Sequence, residues 1–162
     1  MKKNLFSLFV SLAAVLMILT VADVSNAQRR RESRGRGRTK AQVKVIIDRV
    51  ENRVDNFVKK YDKSLDRSNL DGSKREDNLN RRAKDLEGAT DELSREFDRR
   101  DAWAENKDEV RKCLNIASDI DKTIRSRRLG ADTESLWAQV RYELNTLADV
   151  YNLPKVGSNS YR

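Results

Sequence analysis

The chain has 162 residues, of which 37% are charged, and it carries a net charge of +8, one cysteine and no histidine. A lone cysteine excludes an intrachain disulfide and any zinc cluster of cysteines and histidines. The absence of histidine removes the commonest general base and every Ser-His or Cys-His nucleophile pair, so composition argues against an enzyme, and no cofactor or metal is expected.

The N-terminus has the features of an export signal. Two lysines precede an uncharged, largely apolar run from Leu5 to Val21, and Ser25 and Ala27 frame an A-x-A-like cleavage site. We therefore expect a signal peptide over residues 1–27 and a periplasmic or secreted mature protein. The alternative is an uncleaved membrane anchor, because a helix over the apolar run would span ~26 Å, near the lower limit for crossing a bilayer.

A basic arm follows over residues 28–40. It holds seven basic residues against Glu32, which leaves residues 41–162 with a net charge of only +1. Uncompensated charge and interspersed glycines predict a disordered segment that binds anionic lipid, polysaccharide or nucleic acid in a salt-sensitive way. The candidate anion-binding residues are Arg29, Arg30, Arg31, Arg34, Arg36, Arg38 and Lys40.

Two other interpretations of the arm stay open. It can be a spacer at the export junction that has no ligand. Its Arg-Gly pattern also resembles that of nucleic-acid-binding proteins, but no aromatic residues lie among the arginines to stack on bases. A nearly neutral folded part also argues against a nucleic-acid reader, since such domains usually carry basic charge on their folded surface.

Four later stretches show apolar residues at helical spacing, and none shows the period-two alternation of strands. We predict helices over residues 40–67, 74–100, 106–129 and 133–152. The predicted buried positions are Val43, Ile46, Ile47, Val50, Val54, Phe57, Val58, Tyr61 and Leu65; Leu79, Ala83, Leu86, Thr90, Leu93 and Phe97; Val110, Cys113, Ala117, Ile120 and Ile124; and Trp137, Val140, Leu144, Leu147 and Tyr151.

Capping signals indicate where these helices begin. Thr39, Ser73 and Asn106 each stand three residues before a Glu or Gln, which is the spacing of a capping box. Asp132 or Thr133 can cap the fourth helix. The predicted boundaries therefore follow from side-chain chemistry as well as from apolar spacing.

Glycine and proline indicate where the helices end. Gly130 suits the left-handed position just past the third helix, and Pro154 prevents the fourth from continuing. Gly88 lies inside the second helix at a cost of ~1 kcal/mol relative to alanine, which indicates close packing or a bend.

The short connections predict an all-α fold, an antiparallel up-down-up-down four-helix bundle over residues 41–153, with a flexible tail at 154–162. Two long helical hairpins are the alternative. The first two helices would be ~40 Å long and the fourth ~30 Å. That overhang would expose apolar seam residues unless a protein partner or a second copy of the chain covers them.

Other notable side chains have structural interpretations. The carboxylates of the helices, Asp121 and Glu143 among them, are interpreted as a solvated face, because most of them lie off the seams and have basic neighbours three or four residues away. A di-metal site is not expected, since such sites in helical bundles need histidines. Cys113 lies on an apolar seam and is interpreted as a core residue. Trp103, in the second connection, is interpreted as a plug over the end of the bundle, with contact to a partner as the alternative.

The last helix, WAQVRYELNTLADVYNL from Trp137 to Leu153, resembles the C-terminal segment of small exported bacterial helical proteins of unknown function. The shared pattern is W-x2-[VI]-R-x-[DE]-L-x2-L-A-x2-Y-x-[LV], and it covers 17 of the 162 residues. The resemblance implies a bacterial cell-envelope or secreted protein and brings no activity or site. We expect a non-enzymatic structural or interaction module.

Overall fold

The computed structural model describes residues 38–67, 71–127 and 129–158. These residues form four α-helices and one short 3₁₀ helix, and no β-strand occurs among them. The helices are α1 (Lys40–Leu65), α2 (Lys74–Arg99), α3 (Lys107–Arg127) and α4 (Ala131–Tyr151), with the 3₁₀ helix (Trp103–Asn106) directly before α3. The all-helical prediction is confirmed, whereas the expected signal peptide lies outside the described residues.

The four helices pack in a pattern that is compatible with a helical bundle. α1 lies against α2 and α4, and α3 lies against the same two helices. Polar contacts accompany this packing. The Nζ of Lys40, at the start of α1, donates to the carbonyl oxygen of Arg100, just past the end of α2, at 2.6 Å. Lys112 of α3 forms an ion pair with Glu92 of α2 at 2.6 Å.

The predicted apolar seams form the core. Every predicted position is buried except Leu79, which is partly buried and packs against the others. Phe57 stacks on Tyr61 with ring centres 4.9 Å apart and packs on Trp137 at 5.1 Å, so aromatic rings link α1 to α4. Burial of these side chains supplies the main stabilisation, because the chain's single cysteine cannot form an intrachain disulfide.

The exposed overhang expected from unequal helix lengths is not found. α1 and α2 have 26 residues each and α4 has 21, a difference of ~8 Å in length. Nevertheless Tyr61 and Leu65, near the end of α1, are only 2% and 0% exposed. The hydroxyl of Thr133 donates to that of Ser64 at 2.9 Å, which brings the first turn of α4 to this end of α1. The chain therefore covers its own seam.

Two of the predicted capping residues act as expected. Thr39 forms a full capping box: its hydroxyl accepts from the Gln42 backbone at 3.2 Å, and Gln42 accepts from the Thr39 backbone at 2.9 Å. Ser73 accepts from the Glu76 backbone at 3.2 Å. The Glu76 carboxylate accepts from the backbone of Gly72 at 2.7 Å rather than from that of Ser73.

The other predicted helix boundaries need correction. Asn106 turns its amide towards the Trp103 carbonyl, to which it donates at 3.3 Å, and its Oδ1 accepts no hydrogen bond. The 3₁₀ turn that precedes α3 takes the place of the expected cap. Neither Asp132 nor Thr133 caps α4. The helix begins directly after Gly130, two residues before the predicted start at residue 133. Gly130 does adopt a positive φ of 101°, but it precedes α4 instead of directly following α3.

The chain stays on the fold after α4. Asn152 adopts the left-handed conformation with φ 52° and ends the helix two residues before Pro154. Val156 is then 3% exposed and packs against the core. The segment expected to be flexible from residue 154 is thus packed as far as Val156, because an apolar side chain anchors it.

We predict that Gly88→Ala stabilises the protein. A Cβ added at Gly88 meets no atom within 4 Å, so close packing does not require a glycine there. Alanine has the higher helix propensity, and the free energy of unfolding should rise by up to ~1 kcal/mol, or about 4 °C in Tm. Thermal unfolding followed by circular dichroism measures this change.

Gly157→Ala is the matched control for this prediction. Gly157 has φ 80°, and a Cβ there would collide with Nη2 of Arg125, so this variant should be destabilised. A Gly88→Ala protein that melts at or below the temperature of the parent would contradict the prediction.

Candidate functional site

The basic arm is described only at its end. Arg38 is exposed and directly precedes the α1 cap. Lys40 belongs to the folded part: besides its bond to the Arg100 carbonyl, its Nζ lies 5.5 Å from the centre of the Phe97 ring. Lys40 therefore stabilises the contact between α1 and α2, and the arm ends at Arg38. The remaining candidate anion-binding residues, which lie outside the described residues, are Arg29, Arg30, Arg31, Arg34 and Arg36.

Trp103 closes one end of the helices. It is 5% exposed, and its ring meets that of Tyr151 edge to face with centres 5.2 Å apart. The Tyr151 hydroxyl donates to the Trp103 carbonyl at 2.8 Å. Trp103 thus lies where the interpretation as a plug places it, and it has little free surface for a partner.

Cys113 is a core residue, as predicted. It is 0% exposed, and burial raises the pKa of its thiol from 9.0 to about 12. Burial also raises the pKa of the Tyr151 hydroxyl. Since a thiol reacts as the thiolate, Cys113 is held in its unreactive form in the folded protein.

We predict that Cys113 is inert to thiol reagents at pH 8 in the native protein and reacts after unfolding in guanidinium. Because its pKa is raised in the folded state, the stability that it contributes is complete below pH 9.0 and is lost as the pH rises towards 12. Denaturant titrations from pH 8 to pH 11 measure this loss. A Cys113→Ala protein, although less stable at pH 8, should lose less stability over that range. Rapid labelling of the native thiol would overturn the assignment.

Asp121 is the centre of a buried polar cluster between α3 and α4. Its carboxylate is 4% exposed and accepts from the indole Nε1 of Trp137 at 2.9 Å. It also forms ion pairs with Arg125 at 2.8 Å and with Arg141 at 3.2 Å. The prediction that Asp121 lies on a solvated face is therefore wrong. The buried stripe of α3 is wider than the predicted seam, since it also includes Leu114.

Glu143 is the second acid that the sequence analysis placed wrongly. It is 8% exposed and accepts from Nε of Arg49 at 3.0 Å, which joins α4 to α1. Both buried acids stand next to a seam residue, Ile120 or Leu144. Burial of a carboxylate is tolerated when a guanidinium neutralises and hydrogen-bonds it. In the sequence, the available signal of burial was that each acid stands beside a seam residue. That signal does not identify the arginine with which the acid pairs.

A groove of about 400 Å³ lies beside this cluster, between α3 and the segment that follows α4. Successive turns of one α3 face supply one wall, and Leu153, Pro154 and Gly157 contribute to the other. A second cavity of about 400 Å³ shares Asp121 and Arg125 with the groove. Asp121 and Arg125 thus line both concave surfaces. Sequence reasoning missed this arrangement entirely.

The segment after α4 is held firmly enough to serve as a wall. The side-chain amide of Asn145 pairs with both backbone groups of Val156: it accepts from the nitrogen at 2.7 Å and donates to the oxygen at 3.3 Å. Lys155 forms an ion pair with Asp149 at 2.9 Å. Gly157 has a positive φ and leaves room for the Arg125 guanidinium, so glycine is required there.

The groove carries a small excess of positive charge. Asp121 is the one acid among its lining residues, but acids just outside the lining pair with three of its four basic residues: Asp108 with Arg111, Asp119 with Lys122 and Asp149 with Lys155. Arg125 and Arg141 share the carboxylate of Asp121, so five basic side chains here have four acidic partners. The four basic lining residues are Arg111, Lys122, Arg125 and Lys155. Their side chains are about half exposed or more, so water and an incoming anion can both reach them. The groove is therefore suited to a negatively charged ligand.

Three carboxylates also approach one another where α1 leads into α2. Oxygen atoms of Asp66, Asp71 and Glu76 lie within 4.8 Å of each other. Glu76 is engaged by the Gly72 backbone, whereas Asp66 and Asp71 are exposed. This cluster is therefore explained in part by helix capping.

No protein-family model, curated protein or solved structure matches this chain. Among the helices in the described ranges, none has both the length and the apolar character needed to cross a membrane.

We predict that Asp121→Ala lowers the free energy of unfolding by about 2–3 kcal/mol. The change leaves the Trp137 indole N–H and two guanidinium groups without their partner. The partial exposure of Arg125 and Arg141 keeps the loss below the ~3–5 kcal/mol that is typical of breaking a fully buried pair. Asp121→Asn, which keeps an acceptor for Trp137, should lie between Asp121→Ala and the parent. Urea unfolding of each protein measures these differences.

Asp108→Ala is the matched surface control. The Asp108 side chain is 86% exposed and pairs with Arg111, so its loss should change stability by less than ~0.5 kcal/mol. Equal effects of the two alanine substitutions would show that the Asp121 cluster is not important for stability.

Proposed function

We propose that this chain is an exported, non-enzymatic helical-bundle protein of the bacterial cell envelope. In this proposal it is a structural or interaction module, and residues 28–38 form a basic arm that engages anionic surfaces. The observation that carries the proposal is the uneven distribution of charge along the chain. The arm concentrates basic residues with Glu32 as its one acid, while residues 41–162 have a net charge of only +1.

Ion pairing on the folded part supports this division of roles. Basic side chains of several helices have acidic partners on a neighbouring helix, as in Lys44 with Asp98 at 3.0 Å and Arg82 with Asp119 at 3.6 Å. Paired charges of this kind offer little net attraction to an extended anionic surface. The arm, by contrast, would supply about six cations within reach of one surface, each worth ~1 kcal/mol on an anionic membrane.

We further propose that the four helices form an antiparallel up-down-up-down bundle. Contacts between α1 and α4 support this arrangement, because Arg53 donates to Gln139 at 2.7 Å whereas Ser64, later in α1, meets Thr133, earlier in α4. The contact of Lys40 with Arg100 supports an antiparallel arrangement of α1 and α2, and the contact of Lys112 with Glu92 supports one of α2 and α3. Arg38 directly precedes the Thr39 cap, so the arm is joined to the bundle at the first residue of α1.

The absence of catalysis is part of the proposal and rests on the chain's chemistry. The single thiol is buried with a raised pKa, and the chain has no histidine. An exported location rests on the apolar run and the A-x-A-like site of residues 1–27. Intact mass spectrometry of the native protein distinguishes loss of residues 1–27 from a retained anchor.

We predict that deletion of residues 28–38 abolishes binding to vesicles of phosphatidylglycerol and phosphatidylcholine. The deletion retains the Thr39 cap and the Lys40 contact, so helicity and Tm should change little. Vesicle co-sedimentation at increasing salt measures binding, which for the parent should weaken steeply as salt rises. Binding that persists in the deleted protein, or that ignores salt, would show that the folded surface is the site.

Variants that keep the full length of the arm control for the effect of the deletion itself. Changing the six arm arginines to lysine keeps the charge and should preserve vesicle binding, whereas changing them to glutamine should abolish it. Duplex DNA is the competing probe: five or six phosphate contacts would give a log K against log salt slope of about −5. Preference for the duplex over the vesicles at equal salt would favour the nucleic-acid-binding alternative.

A further inference from the structure

We propose that the groove between α3 and the segment after α4 is a binding site for an organic anion with an unbranched apolar chain. Lys122 and Arg125 would hold its acid head group, a carboxylate or a phosphate. Such a site would lie on the folded part of the protein, and its ligand would be a small molecule. The proposal therefore does not depend on the arm.

Charge selects the head group. Lys122 and Arg125 stand three residues apart on α3, so they lie on neighbouring positions of the same helical face. Of the groove-lining residues, Asp121 contributes the one carboxylate, and that carboxylate is already shared between Arg125 and Arg141. Lys122 is paired with Asp119 at 3.4 Å, so the net positive charge at this end of the groove comes from the two guanidinium groups that share one acid. That net charge favours an anion over a cation.

The shape of the groove selects an extended ligand. Its α3 wall runs from Arg111 to Arg125, which spans ~21 Å at the rise of an α-helix. The groove has a volume of about 400 Å³, which is in the range of small-molecule sites. A wall of that length suits an unbranched chain, which can extend along it, better than a compact ring system.

Apolar side chains line the groove away from the head-group end. Leu114 lies two to three turns before Lys122 and Arg125 on α3, and Leu153 and Pro154 face it from the segment after α4. Leu114 is 4% exposed and Leu153 is half-buried, so both belong to the margin of the core. A hydrocarbon chain placed there would pack against these apolar side chains and be removed from contact with water.

The head-group end is organised before any ligand arrives. The buried carboxylate of Asp121 fixes Nε of Arg125, and the Trp137 indole fixes that carboxylate in turn. Gly157 provides the space in which the Arg125 guanidinium lies. A preformed cation loses little conformational entropy when it binds an anion, which favours affinity.

The two tryptophans show whether an anion binds at the Asp121 cluster, and Lys122, which lines the groove but not the second cavity, shows which of the two concave surfaces it occupies. The Trp137 indole N–H is bonded to Asp121 and so reports on Arg125, whereas Trp103 lies at the end of the helices where it meets Tyr151. Titration of the ¹⁵N-labelled exported protein with octanoate should shift the Trp137 indole resonance in a saturable way and leave that of Trp103 unchanged. Equal movement of both resonances, or no movement of Trp137, would overturn the proposal.

Comparison of probes tests the ligand class. Acetate and inorganic phosphate carry the head group alone, and 1-octanol carries the chain alone. Each buried methylene tightens binding by about fourfold, so octanoate should bind at least tenfold more tightly than acetate even when its chain is only partly buried. Octyl phosphate should behave like octanoate. Binding of 1-octanol as tight as that of octanoate would refute the role of the basic side chains.

Matched variants test the named residues. Lys122→Gln and Arg125→Gln should each weaken octanoate binding at least fivefold, and Lys122→Gln leaves the contacts of Asp121 intact. Lys60→Gln and Arg95→Gln are the controls, because both residues are exposed on other helices and neither is among the lining residues of the groove. Unchanged binding in Lys122→Gln, or equal losses in the controls, would exclude the assignment.

The arm variant separates this proposal from the proposed function. A protein with its six arm arginines changed to glutamine should keep octanoate binding and lose vesicle binding. Loss of both would place the octanoate site on the arm and overturn the groove assignment. Loss of octanoate binding in the groove variants, with vesicle binding retained, would support the groove and leave the arm proposal untouched.

Discussion

The burial of one apolar stripe from each of four helices is the constraint on which the rest of this structure depends. The chain has a single cysteine and so no intrachain disulfide, and 37% of its residues are charged, so the hydrophobic effect acts through comparatively few side chains. Those side chains are almost all on the seams. Aromatic packing of Phe57 with Trp137 ties α1 to α4, and Trp103 closes the end at which α4 finishes.

Polar side chains complete this packing at the edges of the apolar stripes. Asp121 and Glu143 lie at the borders of the core, and each is buried against a guanidinium. An acid in such a place is costly unless its partner is present, so these pairs favour one arrangement of the helices over others. Asp121 also holds the side chain of Arg125, which lines the groove.

Charge separates the chain into two kinds of surface. The helices carry many acids and bases that neutralise one another across helix contacts, as Lys112 and Glu92 do. The arm carries basic residues with almost no acids. Long-range attraction to an extended anionic surface would therefore come from the arm, while the small excess of positive charge at the groove would act only on an anion close to it.

The sequence by itself determined the helices and nearly all of the core, because apolar spacing, the Thr39 and Ser73 caps and Pro154 act within a few residues of chain. Only the tertiary structure decided that Asp121, Glu143 and Val156 are buried, since their partners Trp137, Arg49 and Asn145 come from other elements or from a distant turn. The groove exists for the same reason. Its walls are an α3 face and a short segment after α4, and periodicity within either one says nothing about the space between them.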